Sequence, residues 1–312
     1  MARIGSSNLD VFPMCFGGNV LGWTADSDTS HAILDAFCAG GGNFIDTADA
    51  YSQWVPGNEG GVSESVLGDW MAKRGNRAKL VIATKVGSKR DRAGLSPANI
   101  RAACDESLAR LKTDYIDLYY CHRDDPNTPI ADSLGTLNEL VQAGKVRHIA
   151  ASNYSAARLR EALDISQSNG YARFVAMQPH YNLIVRKEYE GDLAALCERE
   201  GLSCFPYYSL AAGFLTGKYR TADQVKGAAR EARVGGYIDD IAWRVLAAVD
   251  VVAARHKTTN VIVALAWLLA QPTVVAPIAS ASRVSQVEGL LAAVHLKLTR
   301  EDLAELDTAS RR

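Results

Sequence analysis

The chain has 312 residues, 48% of them hydrophobic and 22% charged, with a formal net charge of −1. That balance is ordinary for a soluble globular protein and argues against a surface built for a polyanion, so nucleic acid is not an expected partner. The length exceeds the usual single-domain prior but is common for an α/β barrel, and one domain over residues 1–312 is expected.

Six cysteines, Cys15, Cys38, Cys104, Cys121, Cys197 and Cys204, are scattered mostly through apolar runs. They show neither C-x-x-C nor metal-finger spacing, so they read as reduced core residues and no metal is expected. Met1–Asp10 lacks an apolar leader, and the apolar run 261–270 is too short to span a bilayer. A cytoplasmic, non-membrane protein is the expectation.

In chain order, 3–11 reads as a small hairpin able to cap the bottom of a barrel. Strand-like runs then alternate with helix-length amphipathic segments, the pattern of a parallel α/β fold. The expected strands are 12–17, 43–47, 80–86, 115–122, 146–153, 174–178, 203–207 and 273–279, which is the count of a (β/α)8 TIM barrel. Helix punctuation supports it: Ser96-Pro97 and Thr128-Pro129 each place an N-cap before a first-turn proline. Gly144 and Gly201 sit at helix C-termini, and Thr299 with Asp302 forms a capping box. Two long connections, 51–62 and 208–238, both leave strand C-termini, the face where barrel active sites lie.

The second strand ends in Asp46, with Tyr51 just beyond, and other strand ends carry Lys85, His122, Ser152, Asn153, Gln178 and Tyr207. A lysine pointing into a barrel mouth needs a counter-ion, for which Asp46 is the candidate. A phenol is a weak acid at neutral pH unless a nearby cation favours its ionised form, and Lys85 supplies that cation. With His122 donating to the same oxygen, these groups form a proton donor and clamp for a C=O group that still needs a hydride source. Taken singly, each is more commonly structural. Asp49 has no role in this scheme and reads as a solvated loop acid.

Several stretches occur together in order. They are Gly42-Asn43-Phe44-Ile45-Asp46-Thr47-Ala48 with Tyr51, Ile82-Ala83-Thr84-Lys85, and Ser107-Leu108 through Tyr115-Ile116-Asp117-Leu118-Tyr119-Tyr120-Cys121-His122. Gly144-Lys145-Val146-Arg147 through Ser152-Asn153 and Gly213-Phe214-Leu215-Thr216-Gly217-Lys218 complete the series. Over nearly its whole length the chain thereby resembles the aldo/keto reductases, particularly the bacterial branch similar to potassium-channel β subunits. The resemblance implies a tetrad of Asp46, Tyr51, Lys85 and His122 that reduces aldehydes or ketones to alcohols, with Tyr51 as general acid.

It also implies NADP(H) bound without a Rossmann fold. Gly40-Gly41-Gly42 precedes a strand, whereas a dinucleotide fingerprint follows one. The implied cofactor contacts are Gly18, Asn19 and Asp46, then Ser152, Asn153 and Gln178 on the carboxamide and Tyr207 stacked on the nicotinamide. Tyr208, Ser209, Leu210, Ala211, Gly213, Leu215, Gly217 and Lys218 would wrap the pyrophosphate, and Ser280, Ser282, Arg283 and Gln286 would hold the adenosine end. Arg283 at a helix N-terminus suits a 2′-phosphate, which favours NADP over NAD; the bland reading is a solvated first-turn charge. Ser152 and Asn153 read equally as caps of the helix near Ser155.

The chain departs from the family pattern at Tyr208-Ser209, Ser280 and Gly289-Leu290, the last removing side chains usual near adenine. Trp23, Trp54, His180, Tyr181 and 235–237 are candidates to line the substrate mouth, and Arg233 to reach a cofactor phosphate. The rival function is a cofactor-sensing regulatory or interaction subunit with little turnover. A barrel glycosidase ranks last, because His122, Gln178 and Lys85 occupy strand ends where its carboxylates would stand. The substrate and oligomeric state leave no legible trace.

Overall fold

A computed structural model describes residues 1–228 and 230–311. Its centre is an eight-stranded parallel sheet: β1 (Cys15–Gly17), β2 (Phe44–Asp46), β3 (Val81–Val86), β4 (Ile116–Cys121), β5 (Val146–Ser152), β6 (Phe174–Gln178), β7 (Ser203–Cys204) and β8 (Ile278–Ala279). All eight fall within the expected runs, and every strand pairing within the sheet is parallel. The curled sheet closes between β7 and the approach to β8. There Cys204 bridges Val274, the Cys204 N–H donates to the Thr273 carbonyl at 2.8 Å, and the Ile278 N–H donates to Pro206 at 2.9 Å. This is the (β/α)8 barrel expected from the strand count.

Helices α1 (Ser27–Ala39), α2 (Val62–Arg74), α3 (Pro97–Leu111), α4 (Ile130–Gln142), α5 (Ala156–Asn169) and α6 (Asp192–Arg199) separate successive strands from β1 to β7. The short α7 (Glu231–Gly235), α8 (Asp240–Arg255) and α9 (Asn260–Leu269) precede β8, and α10 (Val287–Ala292) and α11 (Arg300–Ala309) follow it. Among the described residues no helix is long and apolar enough to cross a membrane. The apolar faces of the helices and the outward-facing strand residues form the main core, whereas Phe44, Val81, Leu118, Ala150, Val175 and Phe205 fill the barrel interior.

The N-terminal hairpin pairs Ala2–Arg3 with Asp10–Val11, and its Ile4, Leu9 and Val11 pack into the barrel interior cluster. A side chain on Gly5 would come within 2.3 Å of the Val175 carbonyl, so glycine lets the hairpin seat against β6. Asn43 fastens it at the entry to β2, accepting from Phe12 N–H at 2.8 Å and donating to the Asp10 carbonyl at 3.1 Å. With the bottom stoppered, the barrel opens at the end where the strand C-termini lie.

Helix punctuation follows the sequence at α3 and α11 but not at α4. Ser96 caps α3, and the Thr299–Asp302 capping box forms. Thr128 does not cap α4. Pro129 occupies the N-cap position, and the Thr128 hydroxyl instead donates to Asp125 at 2.8 Å, because Asp125 closes a turn over Asn127. A small antiparallel hairpin, Ser88–Lys89 with Arg92–Ala93, follows β3 and was not legible in the sequence.

Candidate active site

Asp46 ends β2 and Lys85 is the fifth residue of β3, and the two strands pair directly. The Lys85 ammonium, fully buried, donates to the Asp46 carboxylate at 2.5 Å, to the Thr47 carbonyl at 2.8 Å and to the Tyr51 hydroxyl at 2.9 Å. A desolvated cation is tolerated only with a close counter-charge, so this pair is a unit rather than a surface salt bridge. Gln178, at the end of β6, donates from Nε2 to the second Asp46 oxygen at 3.0 Å. The Tyr51 hydroxyl donates to Asp46 at 3.2 Å.

Burial, then the Asp46 charge, pushes the Tyr51 phenol well above its ordinary value. The sequence reading looked to Lys85 to ease ionisation, but here burial and Asp46 prevail, so the phenol stays protonated at neutral pH. Burial, then the Lys85 and Arg123 charges, holds the His122 imidazole well below its usual range, leaving it neutral. Its ring centroid is 6.1 Å from that of Tyr51, and its buried Nδ1 has no hydrogen-bond partner among the described residues. Two neutral proton-bearing groups backed by one buried cation therefore face one space.

That space is a cavity of about 760 Å³ at the C-terminal ends of the strands. Of the sequence candidates, Tyr51, His122, Trp54, Asn19, Ser152, Asn153, Gln178, Tyr207, Tyr208, Ser209, Leu210, Gly213, Lys218, Ser280, Ser282 and Gln286 line it. Asp46 and Lys85 lie behind Tyr51. Gly18, Ala211, Leu215 and Gly217 sit beside lining residues without lining the cavity themselves. Arg283 is exposed and does not line it, and it precedes a single 3-10 turn, Val284–Gln286, rather than a long helix, so the helix-terminus argument for it is weak.

The connection 208–218 is shaped by left-handed residues Tyr208, Ala211, Ala212, Gly213 and Gly217. A side chain on Gly213 would approach the Lys218 ammonium to 3.3 Å, and one on Gly17 would meet the Ser280 hydroxyl at 2.7 Å, so bare backbone at both points keeps the cradle open. A cradle of backbone, hydroxyls, amides and one lysine suits a phosphate-bearing cofactor.

The model of the aldo/keto reductase family matches residues 13–311. The chain belongs to the aldo/keto reductase family. It is 32% identical to "Protein tas" of Escherichia coli, covering 98% of this chain and 96% of that one. It is 30% identical to norsolorinic acid reductase B of Aspergillus parasiticus (97% and 82%) and 31% identical to the aldo-keto reductase ausK of Emericella nidulans (97% and 79%). Membership in this oxidoreductase family supports carbonyl reduction in general terms.

Several readings of individual residues change on this aldo/keto reductase framework. Ser152 and Asn153 do not cap α5. Ser155 does, accepting from the Arg158 N–H, while Ser152 donates to the Gln178 carbonyl at 2.9 Å. Asn153, in a left-handed conformation, donates to the His122 carbonyl at 2.8 Å and accepts from the Tyr207 hydroxyl at 2.7 Å, bracing the strand ends to one another. His180 stacks on Tyr207 with centroids 5.3 Å apart and hydrogen-bonds the Tyr237 hydroxyl at 2.7 Å, so one face of Tyr207 is already covered. Tyr181 is buried, its hydroxyl donating to Glu190, and it does not reach the mouth. Trp23 packs edge-on to Trp54, centroids 5.4 Å apart, and backs the cavity without lining it.

Asp49 is not a solvated acid. Only 1% exposed, it has neither carboxylate oxygen hydrogen-bonded among the described residues, and burial, then Glu64, pushes its carboxyl up to about 7. The sequence reading also missed Gln53, Tyr219 and Arg230 on the two long loops, Ser88 on the small hairpin and Arg123 just after β4, all of which line the cavity. The signal that could have exposed Arg123 is its position directly after His122, the residue that ends a run matched to the family.

Proposed function

We propose that the protein is an NADP(H)-dependent reductase of aldehydes or ketones, with Tyr51 as the proton donor. The observation that carries this reading is the Lys85 ammonium, buried and within hydrogen-bond distance of both Asp46 and the Tyr51 hydroxyl. When bound, the cofactor supplies the hydride for the carbonyl carbon. The residues of this chain do the rest. Tyr51, protonated at rest, gives its proton to the substrate oxygen, and Lys85 stabilises the phenolate left behind. Neutral His122 donates to the same oxygen, and Asp46 keeps Lys85 charged and aimed.

Ser152, Asn153 and Gln178 are assigned to the carboxamide, the free face of Tyr207 to the nicotinamide ring, and the left-handed run through Lys218 to the pyrophosphate. Ser280, Ser282 and Gln286, which line the far side of the cavity, are assigned to the adenosine end. Arg283, exposed next to Ser282 at that end, is the cation assigned to a 2′-phosphate and with it to NADP over NAD.

The test follows NADPH absorbance across aldehydes, ketones and sugars, repeated with NADH and with Tyr51→Phe. Expected are turnover with NADPH and a fall of about 10²- to 10⁴-fold in kcat for Tyr51→Phe, with NADPH binding retained. Tight NADPH binding without turnover in the unaltered protein would sink this reading in favour of a cofactor-sensing subunit. Loss of binding in Tyr51→Phe would make Tyr51 structural instead.

A further inference from the structure

Among the described residues the cavity wall contains Arg123, Lys218, Arg230 and Arg233 and no Asp or Glu. Lys218 belongs to the segment assigned to the cofactor, and Arg230 and Arg233 lie over the rings of Trp23 and Tyr208. Arg123 stands apart from these, at the catalytic end. It follows His122 directly at the exit of β4, and it shares its stretch of wall with Tyr51, Gln53, Trp54 and Ser88.

The carboxylates nearest to Arg123 in sequence are already engaged. Asp124 takes a two-pronged pair from Arg158 at 2.8 and 3.0 Å, and Asp125 accepts from the Leu95 N–H at 2.7 Å and from Thr128. Across the cleft, Asp91 pairs with Lys89 at 3.0 Å. Arg123 itself donates only from Nε, to the Ser88 hydroxyl at 3.0 Å, and its two terminal amino groups have no partner among the described residues. One side of the guanidinium is thus anchored to the hairpin after β3. The remaining fork has the geometry that receives a carboxylate through two parallel hydrogen bonds.

Resting on the reductase reading above, we propose that the preferred substrate is an aldehyde or ketone that also carries a carboxylate, bound by Arg123 while its carbonyl oxygen lies at Tyr51 and His122. Trp54, backed edge-on by Trp23, provides an aromatic wall for the body joining the two groups. Arg123 is exposed at the mouth and well hydrated, so it sets preference rather than supplying most of the affinity.

The experiment compares kcat/KM for matched acid and amide pairs, 4-carboxybenzaldehyde with 4-carbamoylbenzaldehyde and 4-oxobutanoate with 4-oxobutanamide. It uses NADPH with the unaltered protein, Arg123→Gln and Arg123→Glu. In the unaltered protein at least one acid should exceed its amide by about tenfold, carried by KM rather than kcat. Arg123→Gln should bring that ratio close to one, and Arg123→Glu should invert it, which a merely structural role would not do. NADPH binding, followed by fluorescence, verifies that each variant is folded. Equal values for acid and amide in the unaltered protein, both being reduced, would overturn the anion site and leave the reductase reading standing. Reduction of none of the four compounds would overturn both.

Discussion

Asp49 and Tyr51 leave the same strand two residues apart and meet opposite surroundings. Tyr51 turns to the Lys85 ammonium, whereas Asp49 turns into a buried space shared with Glu64, where a second negative charge is resisted. Its folded-state carboxyl titrates near 7, above its unfolded value of 3.8. Between those values the folded protein holds a proton that the unfolded chain has released, so this acid's contribution to stability is present at low pH and is lost as pH rises through the window. Asp49→Asn should therefore gain stability relative to the unaltered protein on going from pH 5 to pH 8, by about 2 kcal/mol in urea unfolding. A difference that stays constant across that range would mean Asp49 ionises normally. The sequence could not announce this. A strand end carrying Asp46, Asp49 and Tyr51 shows three polar groups, and which of them faces solvent depends on α2, whose Glu64 arrives from further along the chain.

Helix α2 shows how an element's packing can overrule its own propensities. Gly68 lies in its interior, where alanine would ordinarily be favoured by about 1 kcal/mol. A methyl group there would come within 2.1 Å of the Arg110 carbonyl on α3, so the helices touch backbone to backbone. Arg110 also holds the buried Glu64 carboxylate at 2.7 Å, and Glu64 accepts from the Thr84 hydroxyl on β3 at 2.5 Å. Forcing α3 away disturbs that chain of contacts as well. Gly68→Ala should thus destabilise by about 1–3 kcal/mol by chemical denaturation, and a stabilised variant would show the contact to be looser than described. Elements of this kind were legible where they announce themselves locally. Ser96 and the Thr299–Asp302 pair end up as caps because N-caps depend on the few residues that follow, whereas α5 starts later than expected and takes Ser155 rather than Ser152 or Asn153. Thr128 was misread because Asp125, three residues earlier, competes for it. The Ser88–Ala93 hairpin was invisible because its strands are two residues each and carry no alternating apolar pattern.

At the scale of the whole barrel, two buried charges mark its two ends. Near the mouth, Asp46 gathers Lys85, Tyr51 and Gln178, groups delivered by β2, β3 and β6, so that end was readable once the strands were counted. At the opposite end, Asp117 on β4 is fully buried, accepts from the Ile82 N–H of β3 at 2.9 Å, and pairs with Arg77 at 2.7 Å and Arg147 of β5 at 2.8 Å. Asp117→Ala removes the counter-charge of both guanidinium groups and leaves the buried Ile82 N–H without its acceptor. It should cost about 3–5 kcal/mol and lower Tm, while NADPH binding in the folded fraction is retained. A loss below about 1 kcal/mol would show that solvent already screens the cluster. Position along the strand separates the two acids: Asp46 is the last residue of β2 and Asp117 the second of β4, and because the strands run parallel one is sent to each end. The absence of Asp and Glu from the described cavity lining has a consequence of its own. A wall that attracts negative charge attracts all of it, and the phosphorylated and carboxylated solutes of a cell are abundant. Selectivity must come from what lies deeper, and occupancy of the site would respond to the whole pool of small anions around it rather than to one substrate alone.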